Sequence, residues 1–451
     1  MDDVIEEMPV LQEYADLIGK DFFHGLNILY INHLISDSLM VARAFKKTGA
    51  RLWIIGIPYG NLNSQERKKT ISGLKNLGST TIPNIRFPLQ FSTIMKKTVE
   101  NNLLMIGRTC MENKEKFMIV EDGGYAFPIL HDNPELYPFL KHCIGAVEHT
   151  ARGMWNYQYL ETDGVVKMPR ILSRPALTVA NSTIKAKHEP YFVAQAIIDE
   201  MAYLLRKKHD FIGYKKIAVL GAGRVGRGIA SLLNKLRINL TVVDHNQNNL
   251  DILKSDNDRI KTETFLTSDT INNINIIIGA TGNPSLDKNH LHTFIENKQP
   301  ELILVSASSK EIEFKEIINS MEELINKKTG IFKKKIKEFG IVYDIKLNNQ
   351  SKKLIILADG YPVIFFPNRT NGAPNKAMDP IMSELFLAAC LMNKITSKLP
   401  NSIITMTEIK KMKLPDGHWQ DLINESSILK KWCLYNGIDY KTYCQDIGFT
   451  N

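Results

Sequence analysis

The stretch that constrains this chain most is Ile217 to Asp244, IAVLGAGRVGRGIASLLNKLRINLTVVD. An apolar, strand-like run from Ile217 to Leu220 leads straight into Gly221-Ala-Gly-Arg-Val-Gly226. The spacing predicts a helix behind it with Ile229, Leu232, Leu233 and Leu236 on one face. A second strand, Leu240 to Val243, then ends at Asp244. Gly221 permits the tight turn, Gly223 lets a pyrophosphate approach the backbone, and Gly226 lets the helix pack close on the strand. With Arg224 and Val225 these residues form a helix N-terminus, whose free N–H groups and positive dipole end suit phosphates. The acid 23 positions after Gly221 suits the ribose 2′-hydroxyl of NAD and repels the 2′-phosphate of NADP. A lone glycine-rich turn carries little information. In this order the elements specify a dinucleotide-binding unit, and NAD is the expected cofactor.

The unit continues through Ile276 to Ile278, a small-residue turn (Ala280, Thr281, Gly282, Asn283) and Leu302 to Ser306. The turn lets the middle of the cofactor lie against backbone, so its four residues join the expected cofactor set.

The 451 residues are too many for one core, so two or three domains are expected. A hydrophobic content of 44% with 23% charged residues is that of an ordinary globular chain. Five scattered cysteines lack metal-ligand spacing and read as reduced thiols, so no metal site is expected. The sequence has no membrane-length apolar run, and the acidic start MDDVIEEM is unlike a signal peptide. A cytoplasmic protein with no membrane partner follows as the expectation. The net charge of +9 comes mostly from dispersed lysine, densest at Lys327-Lys328 and Lys333 to Lys337 in a stretch read as helical or loop-like. Aromatic residues do not interleave with it, so it reads as a solvated face and no nucleic-acid partner is expected.

The first half alternates strands and helices. Leu26 to Ile31, Leu52 to Ile57, Phe117 to Val120 and Cys143 to Val147 read as strands. Asp37 to Lys47, Ser64 to Leu77 and Asn101 to Met111 read as helices. This is a second α/β domain with a parallel sheet, and such sheets bind ligands beyond the carboxyl ends of their strands. His33, Asp122 (in Glu121-Asp-Gly-Gly124) and Glu148-His149 all fall at such ends. Val179 to Pro190 leads into a helix with Ala194, Ile197, Ile198, Met201, Leu204 and Leu205 as its apolar stripe, and reads as a hinge between the domains. Within it, Lys185 beside Glu189 is a pair suited to proton transfer. The fold expected is therefore α/β, with two doubly wound Rossmann-like domains joined by a hinge. The substrate domain covers 1–189, completed by about 355–395, the NAD-binding domain 190–350, and a divergent segment without assignable chemistry 396–451.

From about Gly25 to about Ala389, the order and spacing of these features resemble S-adenosylhomocysteine hydrolase. Its Asp-Asp-Gly-Gly-Asp motif appears as Glu121-Asp-Gly-Gly-Tyr125. Its Gly-Tyr-Gly-Asp-Val-Gly-Lys-Gly loop appears as Gly221-Ala-Gly-Arg-Val-Gly-Arg-Gly228, and its Leu-Ala-Glu-Gly-Arg stretch as Leu357-Ala-Asp-Gly-Tyr361. The resemblance implies tightly held NAD that oxidises a ribose 3′-hydroxyl. Loss of the acidified 4′-hydrogen, elimination of the 5′-thiol, addition of water and return of the hydride follow. It further implies a nucleoside substrate and a homo-oligomer. His33 and Asp122 match the residues associated with proton transfer to leaving group and water, Lys185 the lysine at the 3′-hydroxyl, and Asp244 the acid on the NAD ribose.

Other positions depart from the family pattern. The glutamate that binds the sugar hydroxyls falls at His149. Of the three threonines after it only Thr150 remains, followed by Ala151 and Arg152. The Asp-Asn pair beyond the lysine becomes Glu189-Pro190, and the cysteine that follows becomes Ala194. The histidine after the fifth strand falls at about Ser309, and the Gly-His pair near the adenine becomes Gly372-Ala373. The resemblance thus keeps the NAD side and rewrites the nucleoside side. A site built to hydrogen-bond a hydroxyl discriminates by roughly 10⁴-fold, so an altered substrate or a weaker turnover is expected. Two readings stay open: an enzyme with His33, Asp122, His149, Lys185 and Glu189 as its chemistry, or an impaired relative that holds NAD and regulates a partner.

Overall fold

The computed structural model describes residues 8–59, 62, 64–85, 90–162, 166–256, 259–308, 313–327, 330–347, 350–365, 372–412 and 417–449. Its strands are β1 (Leu26–His33), β2 (Arg51–Ile57), β3 (Gly78–Thr81), β4 (Lys116–Glu121) and β5 (Cys143–Glu148). A short ribbon of β6 (Tyr159–Thr162) and β7 (Val166–Pro169) is followed by β8 (Ala176–Thr178). Then come β9 (Lys216–Leu220), β10 (Asn239–Val243), β11 (Lys261–Glu263), β12 (Ile276–Gly279) and β13 (Glu301–Ser306). The last four are β14 (Ile331–Ile336), β15 (Gly340–Leu347), β16 (Gln350–Leu357) and β17 (Ile403–Thr405).

The first sheet has the order β3-β2-β1-β4-β5-β8-β17, and every pair in it is parallel. Each residue of β1 is buried, as a strand covered on both faces by helices must be. The second sheet has the order β11-β10-β9-β12-β13-β16-β15-β14. Its parallel part follows the doubly wound order 3-2-1-4-5-6, and β15 and β14 add an antiparallel edge. Both sheets therefore reverse direction at the same place in their order, between their first and fourth strands.

The helix Asn375–Ile395 returns the chain from the second sheet to the first, and 18 of its residues are buried. The helix Pro9–Ile18 is fastened to it, with Val10 N and Leu11 N donating to Asp379 at 2.9 Å each. Residues 396–451, set apart by composition, contribute β17 to the first sheet and the helix Glu425–Tyr435 to its main core. β16, at the expected 350–355 boundary, stays with the second sheet. In the other direction the chain crosses through Glu189–Arg206. This helix runs tight against Arg224–Lys235, since a Cβ on Gly228 would lie 2.9 Å from the Pro190 carbonyl and 3.0 Å from Ala194 Cβ.

Three expectations need correction. Lys333 to Lys337 do not form a helical or loop-like stretch: Lys333–Ile336 fall in β14, the outer strand of the hairpin, where Lys333, Lys334 and Lys335 face solvent. Leu236 is not on the buried face, because it caps the helix end and is 57% exposed; the heptad-like spacing overran the last turn. The helix expected at Asn101 to Met111 is far longer, Phe91–Asn113, because its first turns are polar outside one buried stripe. Among the described residues no helix is long and apolar enough to cross a membrane.

Candidate active site

The two switch points face one cavity of about 500 Å³. One wall comes from the first sheet. His33 is the last residue of β1, Asp122 follows β4, and His149 follows β5. The Asp122 turn is fixed from beneath by two buried glutamates. Glu148 accepts from Gly123 N (3.1 Å), Gly124 N (2.9 Å) and both Thr150 N (2.6 Å) and its hydroxyl (2.7 Å). Glu121 accepts from the N–H groups of Tyr125, Ala126 and Phe127 and from the Tyr157 hydroxyl. The acid one place before His149 thus holds the loop and turns away from the cavity. Gly123 and Gly124 sit at φ +103° and +64°, in the left-handed region that favours glycine.

The five residues expected to carry chemistry form one chain. Asp122 Oδ1 lies 3.8 Å from His33 Nε2, and its Oδ2 accepts from His149 Nδ1 at 3.2 Å. Lys185 Nζ then bridges His149 Nε2 (2.9 Å) and Glu189 Oε1 (2.7 Å). A carboxylate only accepts and an ammonium only donates, so His149 is neutral with its proton on Nδ1. His33, Asp122, His149 and Lys185 are all buried. Burial pushes the His33 imidazole down to about 4, opposed by Asp122 and helped by the charge of Arg67. Burial pushes Asp122 up, but His33, His149 and Lys185 outweigh it and hold the carboxyl at about 2. Asp122 is therefore the anion of the group and His33 a neutral imidazole. The His33 ring stacks on Phe365, with centroids 4.1 Å apart and planes 18° apart. Its Nδ1 has no hydrogen-bond partner among the described residues.

The opposite wall is the glycine loop. Gly221 has φ +98°, and a Cβ there would lie 2.7 Å from the Ala280 carbonyl. A Cβ on Gly226 would fall 1.9 Å from the Gly221 carbonyl oxygen, so this position requires glycine. A Cβ on Gly223 would meet nothing within 4 Å, and the helix that starts at Arg224 has no side-chain cap. That open backbone approach and uncapped helix end fit a dinucleotide phosphate. Gly223, Arg224, Val225, Ala280, Thr281 and Gly282 line the cavity, as does Thr150. Gly221 and Gly226 lie behind it as packing residues.

Some expected cofactor residues are placed differently. Asn283 is exposed and does not line the cavity; it closes its own turn with Thr281. The Arg224 guanidinium reaches across to the first sheet's side, to the Ala180 carbonyl (2.8 Å) and Asn181 Oδ1 (3.2 Å). Asp244 sits at the end of β10, bound to Ala222 N at 2.6 Å and Asn246 N at 2.8 Å. Arg152, Gly372 and Ala373 line the cavity, whereas Ser309 lies outside the described residues.

Sequence reasoning missed Glu313. This buried carboxylate accepts from Thr281 N and Gly282 N (2.7 Å each) and from Ser308 Oγ (2.5 Å), so it ties together two loops that line the cavity. In the sequence it lies inside a charged run, KEIEFKEI, with nothing to set it apart from surface glutamates.

Two doubly wound sheets, with a glycine-loop wall facing a His-Asp-His-Lys-Glu group of which all but the half-buried Glu189 are buried, have the architecture of a dinucleotide-binding protein, and residues 217–322 match the TrkA-N domain. The chain is a distant homologue of the adenosylhomocysteinases. It is 21% identical over 384 residues to the adenosylhomocysteinase of Aeropyrum pernix, covering 84% of this chain and 81% of that one. It is 25% identical over 291 residues to that of Sulfolobus acidocaldarius, covering 64% and 62%. It is 26% identical over 227 residues to the S-inosyl-L-homocysteine hydrolase of Methanopyrus kandleri, covering 48% of each.

Proposed function

We propose that this chain is an NAD-dependent enzyme that oxidises a ring hydroxyl of a nucleoside, S-adenosylhomocysteine or a relative of it, with elimination or addition at the neighbouring carbon. The observation that carries the reading is the hydrogen-bonded chain from Asp122 through His149 and Lys185 to Glu189, with His33 3.8 Å from Asp122, on the wall facing the glycine loop. Gly223 and Val225 would hold the cofactor by backbone, with Thr281 and Gly282 lying against it and Asp244 on its ribose. Bound NAD would supply the oxidising equivalent that turns the hydroxyl into a ketone.

The side chains supply the proton path. Lys185 gives a proton to His149 Nε2, and the resulting imidazolium is stabilised by Asp122 through Nδ1. The amine so formed takes the proton of the substrate hydroxyl, while Glu189 keeps the nitrogen in place. His33, neutral and next to Asp122, is suited to exchange a proton with a leaving group or water at the adjacent carbon. Positions that bind sugar hydroxyls in the resembled family carry His149 and Glu189 here, which favours a substrate whose hydroxyls or 5′ group differ from the standard one.

The test follows absorbance and fluorescence of NAD(H) in the purified protein as S-adenosylhomocysteine and then adenosine are added. A rise in the NADH band with the native chain and none with Lys185→Met supports the reading. Bound NAD reduced equally well by both proteins refutes the role of Lys185, and no NAD binding on titration refutes the cofactor.

A further inference from the structure

The five-residue helix Thr183–Lys187 bears Lys185, and so short a helix cannot hold itself together. Its support comes from residues to which the sequence assigned no chemistry. Glu425, at the start of the helix Glu425–Tyr435, is buried and accepts through Oε1 from Thr183 N and from Ile184 N, the latter at 3.1 Å. Its Oε2 pairs with Lys410. The next N–H, that of Lys185, donates to Ser182 Oγ at 3.1 Å, and Ser182 in turn donates to the buried Glu384 at 2.5 Å. On the far side His188 is clamped. Its Nε2 donates to the Ala377 carbonyl at 2.7 Å, its Nδ1 accepts from the Tyr443 hydroxyl at 2.7 Å, and the Trp432 ring stands edge-on 4.7 Å away.

We propose that the C-terminal helices Met406–Lys411, Glu425–Tyr435 and Tyr440–Ile447 form a positioning clamp for Lys185 and Glu189, with Glu425 as the positioning residue and Lys410 as its counter-charge. The proposal rests on the role given to Lys185 above. Lys185 lies between the Glu425 anchor and the His188 anchor, and Glu189 lies one residue beyond the second. Both side chains that meet at 2.7 Å in the cavity are thus aimed by contacts from these C-terminal helices. Glu425 does not line the cavity, so its effect passes through the backbone of the helix that bears the lysine.

Glu425→Gln keeps an acceptor for Thr183 and Ile184 but places an amide N–H₂ against the Lys410 ammonium; adding Lys410→Met removes that clash. The reading is the acetylation rate of Lys185 by an N-hydroxysuccinimide ester at fixed pH, measured by peptide mass spectrometry against the other lysines. In Glu425→Gln the Lys185 rate should rise at least about fivefold while other lysines change by less than about twofold, and the double variant should return it to within about twofold of the native rate. An unchanged Lys185 rate in the folded single variant overturns the proposal, as does a uniform rise at all lysines or a double variant that stays fast. Should the single variant not fold, amide exchange in the native chain decides. Residues 183–187 must open together with 425–435, and protection of the former while the latter exchange overturns the clamp. Loss of the Lys185→Met effect on NAD reduction would refute the proposed function and leave these labelling results standing.

Discussion

Replacing His188 by Gln should change how stability depends on pH by a calculable amount. The native imidazole is fully buried, and burial pushes it down to about 4, against partial opposition from its bond to Ala377 and the charge of Glu189. An unfolded chain carries a histidine of about 6.5. Between those values the unfolded state binds more protons, so native stability rises with pH through the window and is lost as pH falls below about 6.5. The preference for unfolding from this one group is about 2 kcal/mol at pH 5 and about 0.2 kcal/mol at pH 7. Gln keeps a donor for the Ala377 carbonyl and does not titrate. The variant is expected to be less stable than the native chain at pH 7, by about 1–3 kcal/mol for the broken Tyr443 bond. The gap should shrink by about 2 kcal/mol at pH 5. Burial holds Asp379 and Glu384 near 7, so they titrate in the same range, but they do so in both proteins and cancel in the difference. The assay is urea unfolding at the two pH values, followed by tryptophan fluorescence. All four tryptophans (Trp53, Trp155, Trp419, Trp432) lie outside the second sheet, so the signal reports the layer that contains His188. A native-to-variant gap that is equal at pH 5 and pH 7 refutes the argument.

Two further outcomes follow from the glycine-loop wall. Gly226→Ala drives a Cβ to 1.9 Å from a backbone oxygen that cannot move alone, so it should destabilise the second layer by about 1–3 kcal/mol and weaken NAD binding at least about tenfold; fluorescence titration with unchanged affinity would count against the packing role. Asp244→Ser removes the carboxylate that disfavours a 2′-phosphate, and competition between NAD and NADP should show the preference narrowing by at least about tenfold, an unchanged ratio being the contrary result.

The parts of the fold that could be read from the sequence are those where local pattern and final packing agree. The glycine loop, its flanking strands and Asp244 are contiguous, so spacing alone located them. His33, Asp122 and His149 were visible because parallel sheets collect ligands at strand ends, and each follows a run of buried residues. What stayed hidden is whatever depends on partners distant in the chain. Glu148 stands at a strand end beside His149, yet the N–H groups of Gly123, Gly124 and Thr150 turn it inward. His188 lies in a polar Lys-His-Glu-Pro string that suggests solvent, and partners as far as Trp432 and Tyr443, some 250 positions later, help to bury it. Lys333, Lys334 and Lys335 lack alternation because both faces of β14 are open to solvent there, so no period of two appears in its pattern.

The first sheet takes strands from both ends of the chain, whereas the second is assembled from one continuous stretch, 216–357. Growth of the polypeptide from its N-terminus therefore separates the two layers in time. The glycine-loop layer has every strand it needs once residue 357 has emerged. The layer bearing His33, Asp122 and His149 must wait for the helix Asn375–Ile395, which fills its core, and for β17, which completes its edge. Until then Met118, Val120 and Val147 lack the apolar surface that covers them in the finished protein. The nascent chain thus passes through a stage in which one half is ready to receive a cofactor and the other still offers a sticky sheet to its neighbours. A truncation that stops short of residue 395 would freeze the chain at that stage.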